Sequence, residues 1–165
     1  MFLTLFLSLV VCAAVSVILL SAVAFVQKEA FFSSAPKEAR DVIQPRPKEL
    51  FYGARIIGWT LLLFSLFMIL GAVAVAIWDG IRSGFTFSQF FLRLLMMFTI
   101  YKIYDMICFD YFLLMKFKFF QYYYPEIEPV YQNRKYGFNI KSQLLKLLVI
   151  FPAVSALIAW VCTLF

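Results

Sequence analysis

One hydrophobic stretch of the sequence carries ionisable side chains in its interior. Between Phe85 and Lys118 lie Arg93, Lys102, Asp105 and Asp110, with Tyr101 and Tyr104 beside the central pair. A charge at mid-membrane costs about 2.5–3.5 kcal/mol on insertion scales. Such residues face protein or a wet cavity and mark paths for ions, protons or polar substrates. On a helix Lys102 and Asp105 share a face about one turn apart, and Tyr101 with Asp105 is an i, i+4 pair within reach of a phenol-to-carboxylate hydrogen bond. Arg93 and Lys102 point to opposite sides. The four charges therefore do not line one stripe, and some must snorkel or pair with a neighbouring helix or subunit. These six residues are the candidate polar centre for transport or binding. The competing reading is structural: a snorkelling Arg93, an interfacial Asp110, and a Lys102–Asp105 bridge that only sets helix register.

A second group follows it. Glu126 and Glu128 are bracketed by Pro125 and Pro129, just after the run Tyr122, Tyr123, Tyr124. Two carboxylates beside a membrane surface suit a cation or a proton, and phenol rings with a polar tip suit the headgroup level. The prolines predict an extended segment here. These five residues form the candidate cytoplasmic interface, with solvated side chains as the plain alternative.

Several chemistries are set aside. The chain has no histidine, which argues against histidine-ligated haem, histidine-based zinc catalysis and Ser-His hydrolysis. Cys12, Cys108 and Cys162 show no paired spacing, so neither a disulfide framework nor a metal site is expected. There is no glycine-rich phosphate loop, and no cofactor is implied. Tyr104-Asp105 matches the first half of the intramembrane aspartyl protease pattern, but the other apolar runs lack a second aspartate. Asp79-Gly80 with Arg82 is similarly only a fragment of the lipid phosphotransferase motif. The layout resembles that of the membrane-bound eicosanoid and glutathione enzymes in architecture alone, because the arginine and asparagine motif of their second helix is absent.

The elements that must hold these residues are membrane spans. Hydrophobic residues make up 64% of the chain, more than a soluble domain of this length can bury. Four apolar runs reach the ~20 residues that cross ~30 Å of hydrocarbon: 2–26, 56–78, 85–115 and 144–165. In lipid every backbone polar group must be satisfied within the segment, so the spans are expected to be helices. The expected fold is all-α, a polytopic four-helix transmembrane bundle in one domain.

Charge distribution orients it. Lys28, Lys37, Arg40, Arg46, Lys48 and Arg55 fall between the first two spans. Lys116, Lys118, Arg134, Lys135, Lys141 and Lys146 lie in or beside the connection between the third and fourth, while the second and third are joined by a segment holding only Arg82. The positive-inside rule makes both basic connections cytoplasmic and both termini external. This accounts for the net charge of +6 without nucleic acid. The expected surroundings are the lipid bilayer of the plasma membrane, with anionic headgroups and a second copy of the chain as further partners. The first run lacks a basic start and suits an uncleaved span rather than a signal peptide.

Local signals refine the elements. A short helix is expected over 36–43 with Ser34 as its cap, stopped by Pro45 and Pro47. The second helix is expected to begin near Pro47 with Glu49 in its first turn. Asp79, Gly80, Ser83 and Gly84 read as an external turn, and Thr86 with Gln89 as a capping box. Asn139 or Ser142 can cap the last helix, which Pro152 should kink near Leu148. Ala72/Ala76 and Ser155/Ala159 offer close-packing faces. The leading functional expectation is a transport, channel or accessory subunit centred on the third helix. The alternatives are a membrane enzyme acting on a lipid or isoprenoid at the cytoplasmic face, and a structural scaffold.

Overall fold

The computed structural model describes residues 1–28, 31, 35, 37–44, 46, 48–132 and 140–164, the side chains of 140 and 141 excepted. Every element among these is helical. Helix α1 (Phe2–Ser21) continues into a π-helical turn over Ala22–Val26. The short α2 (Lys37–Val42) precedes the long α3 (Ala54–Arg82). Helix α4 (Phe87–Tyr104) runs into a π-helical segment, Asp105–Lys116. Then come α5 (Phe119–Tyr123), a 3-10 turn over Pro125–Ile127, and α6 (Glu128–Gln132). Helix α7 (Ile140–Leu145), a π turn over Lys146–Ile150 and α8 (Phe151–Cys162) close the chain. Three helices are long and apolar enough to cross a membrane: Phe2–Val26, Ala54–Arg82 and Ser142–Cys162. The stretch from α4 through Lys116 is equally long, but its charges set it apart from those three.

The chain divides into two compact units. The first comprises Met1–Ala14, Phe67–Tyr104 and Ile140–Phe165. Here α4 lies along α8, joined through Phe90, Ala159 and Cys162, with Ile77, Phe85, Phe91 and Ile158 packed around them. Ser155 and Ala159 are fully buried, as small residues are where helices approach closely in lipid. Gly80 serves the same purpose on α3. A Cβ there would lie 2.3 Å from Cε1 of Phe90, so only glycine leaves room for that ring.

The second unit comprises Val15–Leu66 and Asp105–Asn139. Ala22, Val26 and Leu62 pack together with Ile18. A Cβ on Gly58 would come within 2.7 Å of Val26 Cγ2, so glycine sets this close approach too. A larger cluster joins Val23, Ala39, Ile43, Leu114, Tyr124, Ile127 and Tyr131.

Several local expectations are revised. Helix α3 begins at Ala54 rather than near Pro47; Glu49 stays outside it and accepts a hydrogen bond from the Gly53 N–H at 2.9 Å. Asp79 and Gly80 belong to α3, and the turn is confined to Ser83–Thr86. It closes with the Schellman pair Phe85 N–H to Gly80 O and Gly84 N–H to Ile81 O. The expected capping box is present on its Gln89 side, whose Oε1 accepts from the Thr86 N–H at 2.8 Å. The segment 125–129 is helical rather than extended. Pro125 and Pro129 each fall in the first turn of their helix, where no N–H is required. The disturbance expected near Leu148 takes the form of a π turn. Widening that turn accommodates the ring of Pro152, which would otherwise meet the carbonyl four residues back. Ser34, Pro36, Pro45, Pro47, Arg134, Lys135 and Asn139 lie outside the described residues.

Candidate functional site

The second unit builds a cap from two connections far apart in sequence. Along 121–131 the buried positions are Gln121, Tyr124, Ile127 and Tyr131, a helical period carried across α5, the 3-10 turn and α6. Ala39 and Ile43, from the first connection, meet this face. Tyr124 and Ile127 are 1% exposed, and burying a side chain of the size of Ile127 stabilises by about 1.5–3 kcal/mol where water is the alternative.

Polar groups fasten the two connections together. Arg46 Nη2 donates to Glu126 Oε2 at 2.7 Å and to the Tyr123 carbonyl at 3.3 Å. Its guanidinium also sits 5.3 Å from the Tyr124 ring centroid. The other oxygen of Glu126 accepts from the Gln44 N–H at 3.2 Å, and Arg55 donates to the Arg46 carbonyl. Both side chains of the Arg46–Glu126 pair are under a third exposed. Its stabilisation is therefore about 1–2 kcal/mol, above that of a fully exposed pair.

Glu128 faces elsewhere. Its Oε1 pairs with Lys118 Nζ at 2.7 Å in an exposed bridge. Such a bridge stabilises by less than about 1 kcal/mol. The pair borders a cavity of about 230 Å³ lined also by Met115, Gln121, Tyr131 and Gln132. Lys118 has φ of 50°, in the left-handed region that non-glycine residues enter at a cost of about 1–2 kcal/mol. It stands at the corner where the π segment ends and α5 begins. Gln121 Nε2 donates to the Leu114 carbonyl at 2.9 Å, while its buried Oε1 has no donor among the described residues.

The residues of the expected polar centre fall in both units. In the first unit Arg93 is held within the chain. Its Nη1 donates to Asp79 Oδ2 at 2.7 Å and to the Ala76 carbonyl at 2.9 Å, and its guanidinium lies 4.2 Å from the Phe85 ring centroid. Lys102 is buried on α4, with Tyr101 and Tyr104 half-buried beside it. In the second unit Asp105 opens the π segment and Asp110 follows five residues later. Hydrogen bonds of the i→i+5 type bring residues five apart to nearly the same side. Positions 105 and 110 therefore lie toward one side of the π segment.

No protein-family model, curated protein or solved structure matches the chain.

Of the interface residues expected from sequence, Glu126 and Tyr124 are structural parts of the cap, Tyr123 contributes its carbonyl, and Tyr122 is exposed. Sequence reasoning missed Arg46 as the partner of Glu126, Asp79 as the partner of Arg93, and Gln121. The last had a readable signal, being the one amide within the aromatic run 119–124. The other two had none, since nothing local ties residue 46 to residue 126.

Proposed function

We propose that this is a four-span integral membrane protein of the plasma membrane, with both basic connections on the cytoplasmic side and both termini outside. Its working part is the cytoplasmic-side cap, and it acts as an accessory subunit or binding module. One observation carries this reading: two connections about eighty residues apart fold on a common apolar core, fastened by Arg46 and Glu126. Segments that merely join helices need no core of their own. Glu126 and Glu128, the two carboxylates of the expected cytoplasmic interface, are engaged in ion pairs, which favours binding over general acid–base chemistry. The bilayer is the first partner in this account, with a second copy of the chain as a further one.

Native mass spectrometry from mild detergent tests it. Wild-type protein and Arg93→Met should retain a bound lipid or small ligand, and Arg46→Gln should lose it. Equal retention in all three, or none in any, contradicts the reading.

A second reading is supported by Asp105 and Asp110, which the π geometry turns to one side. Here the π segment of the third span is the polar centre of a cation path. Purified protein in liposomes should then conduct, and Asp105→Asn should reduce the flux at least about tenfold; unchanged flux refutes this role.

A further inference from the structure

We propose that the cap cavity binds the headgroup of a membrane lipid bearing a primary ammonium and a phosphodiester, a phosphoethanolamine group. The inference rests on the cap being a binding module and adds the chemistry of what it binds.

Size is the first argument. A cavity of about 230 Å³ falls below the roughly 300–1,000 Å³ of sites that enclose drug-sized ligands. It has room for a headgroup and not for an acyl or isoprenoid chain.

Charge is the second. Among the described residues the lining holds one cation, Lys118, and one carboxylate, Glu128, paired at 2.7 Å. This pair sums to zero, so a zwitterion matches both of its members, whereas an anionic headgroup matches only Lys118. Both side chains are more than a third exposed and free to exchange partners. On binding, the ligand ammonium takes Glu128 and its phosphate takes Lys118. One ion pair becomes two.

Gln121 distinguishes a primary ammonium from a methylated one. Gln121 belongs to the cavity wall and is 7% exposed. The bond from its Nε2 to the Leu114 carbonyl fixes which end of the amide is the oxygen. That buried Oε1 meets no donor among the described residues, and buried polar atoms in native proteins are nearly always satisfied by protein, water or ligand. A primary ammonium offers three N–H donors; a trimethylammonium offers none.

The source of the headgroup follows from the neighbouring side chains. Phe112, Phe117 and Tyr122 are exposed on the same stretch that supplies Met115, Lys118 and Gln121. Exposed aromatic rings flanked by lysines belong at the membrane interface, where lipid headgroups are the abundant ligands.

The test offers the full-length protein, in mild detergent, equal amounts of phosphatidylethanolamine, phosphatidylcholine and phosphatidylglycerol with distinguishable acyl masses. Native mass spectrometry reads the bound ratios. Wild type should retain the ethanolamine lipid over the choline lipid by at least about tenfold, the discrimination of one charged hydrogen bond. Gln121→Leu should bring the ratio near unity; Glu128→Gln, at an exposed position, should lower retention of both zwitterionic lipids, and Glu128→Asp should keep most of it. Equal retention of the ethanolamine and choline lipids by the wild type, a preference for the glycerol lipid, or undiminished lipid retention in Glu128→Gln overturns the proposal. Soluble glycerophosphoethanolamine binding as tightly as the lipid would overturn the membrane source. Lipid retained without headgroup preference sinks this inference alone. Absence of any lipid from the wild type sinks the binding-module reading with it.

Discussion

Removing Asp79 should destabilise the protein more than removing its partner. Arg93 has only 8% of its side chain exposed, against 34% for Asp79. Breaking a buried ion pair by deleting one partner costs about 3–5 kcal/mol when the remaining charge has no recourse to water. Asp79 is partly wet, and Arg93 keeps the Ala76 carbonyl and the Phe85 ring, so the lower figure of about 1.5–3 kcal/mol for one charged hydrogen bond applies to Asp79→Leu. In a chain of this length each 1 kcal/mol lowers Tm by about 2–4 °C, giving a drop of about 3–12 °C in a fixed detergent. Arg93→Leu leaves a carboxylate that water can reach, and should cost under about 1 kcal/mol. The double variant replaces the pair by apolar groups, which is often neutral, so it should recover most of the loss from Asp79→Leu. Thermal unfolding of the three variants decides it. Additive losses in the double variant, or a larger loss from Arg93→Leu than from Asp79→Leu, would refute the staple and its asymmetry.

Three further outcomes are expected. Gly80→Ala places a Cβ against the Phe90 ring and should destabilise by about 1–3 kcal/mol. Pairing it with Phe90→Leu should recover part of that, as melting curves would reveal. Lys118→Asn should relieve the left-handed backbone at that corner by about 1 kcal/mol, offset by loss of the exposed bridge to Glu128. A Tm within about 2 °C of wild type is expected, and a fall beyond about 6 °C would mean the bridge is stronger than its exposure allows. Cys12 and Cys162 are buried whereas Cys108 is half-buried, so maleimide should label Cys108 first in the folded protein, with intact mass as the readout.

The long helices were legible in the sequence because they rest on local signals: uncharged runs of span length, the Thr86–Gln89 cap, and proline near the start of α8, whereas the short helices of 119–132 were not. Glu126 and Glu128 were legible as residue types but not as partners, since their counterparts Arg46 and Lys118 are chosen by tertiary packing. The π segment after Asp105 left no mark in composition, and it alters which charges share a side. The cap was the largest surprise. Short connections dense in proline and charge read as solvated, yet Ala39, Ile43, Tyr124, Ile127 and Tyr131 supply enough apolar surface to build a core once the two connections meet.

That meeting is the central claim, and hydrogen exchange in lipid nanodiscs measures it most directly. The amides of α2, 37–42, and of 119–132 should be protected together in the wild type. In Arg46→Gln both segments should lose about tenfold in protection, the equivalent of about 1.4 kcal/mol. Exchange of 37–42 at the rate of an unstructured peptide while 119–132 stays protected, or no response of either segment to Arg46→Gln, would contradict a single folded cap.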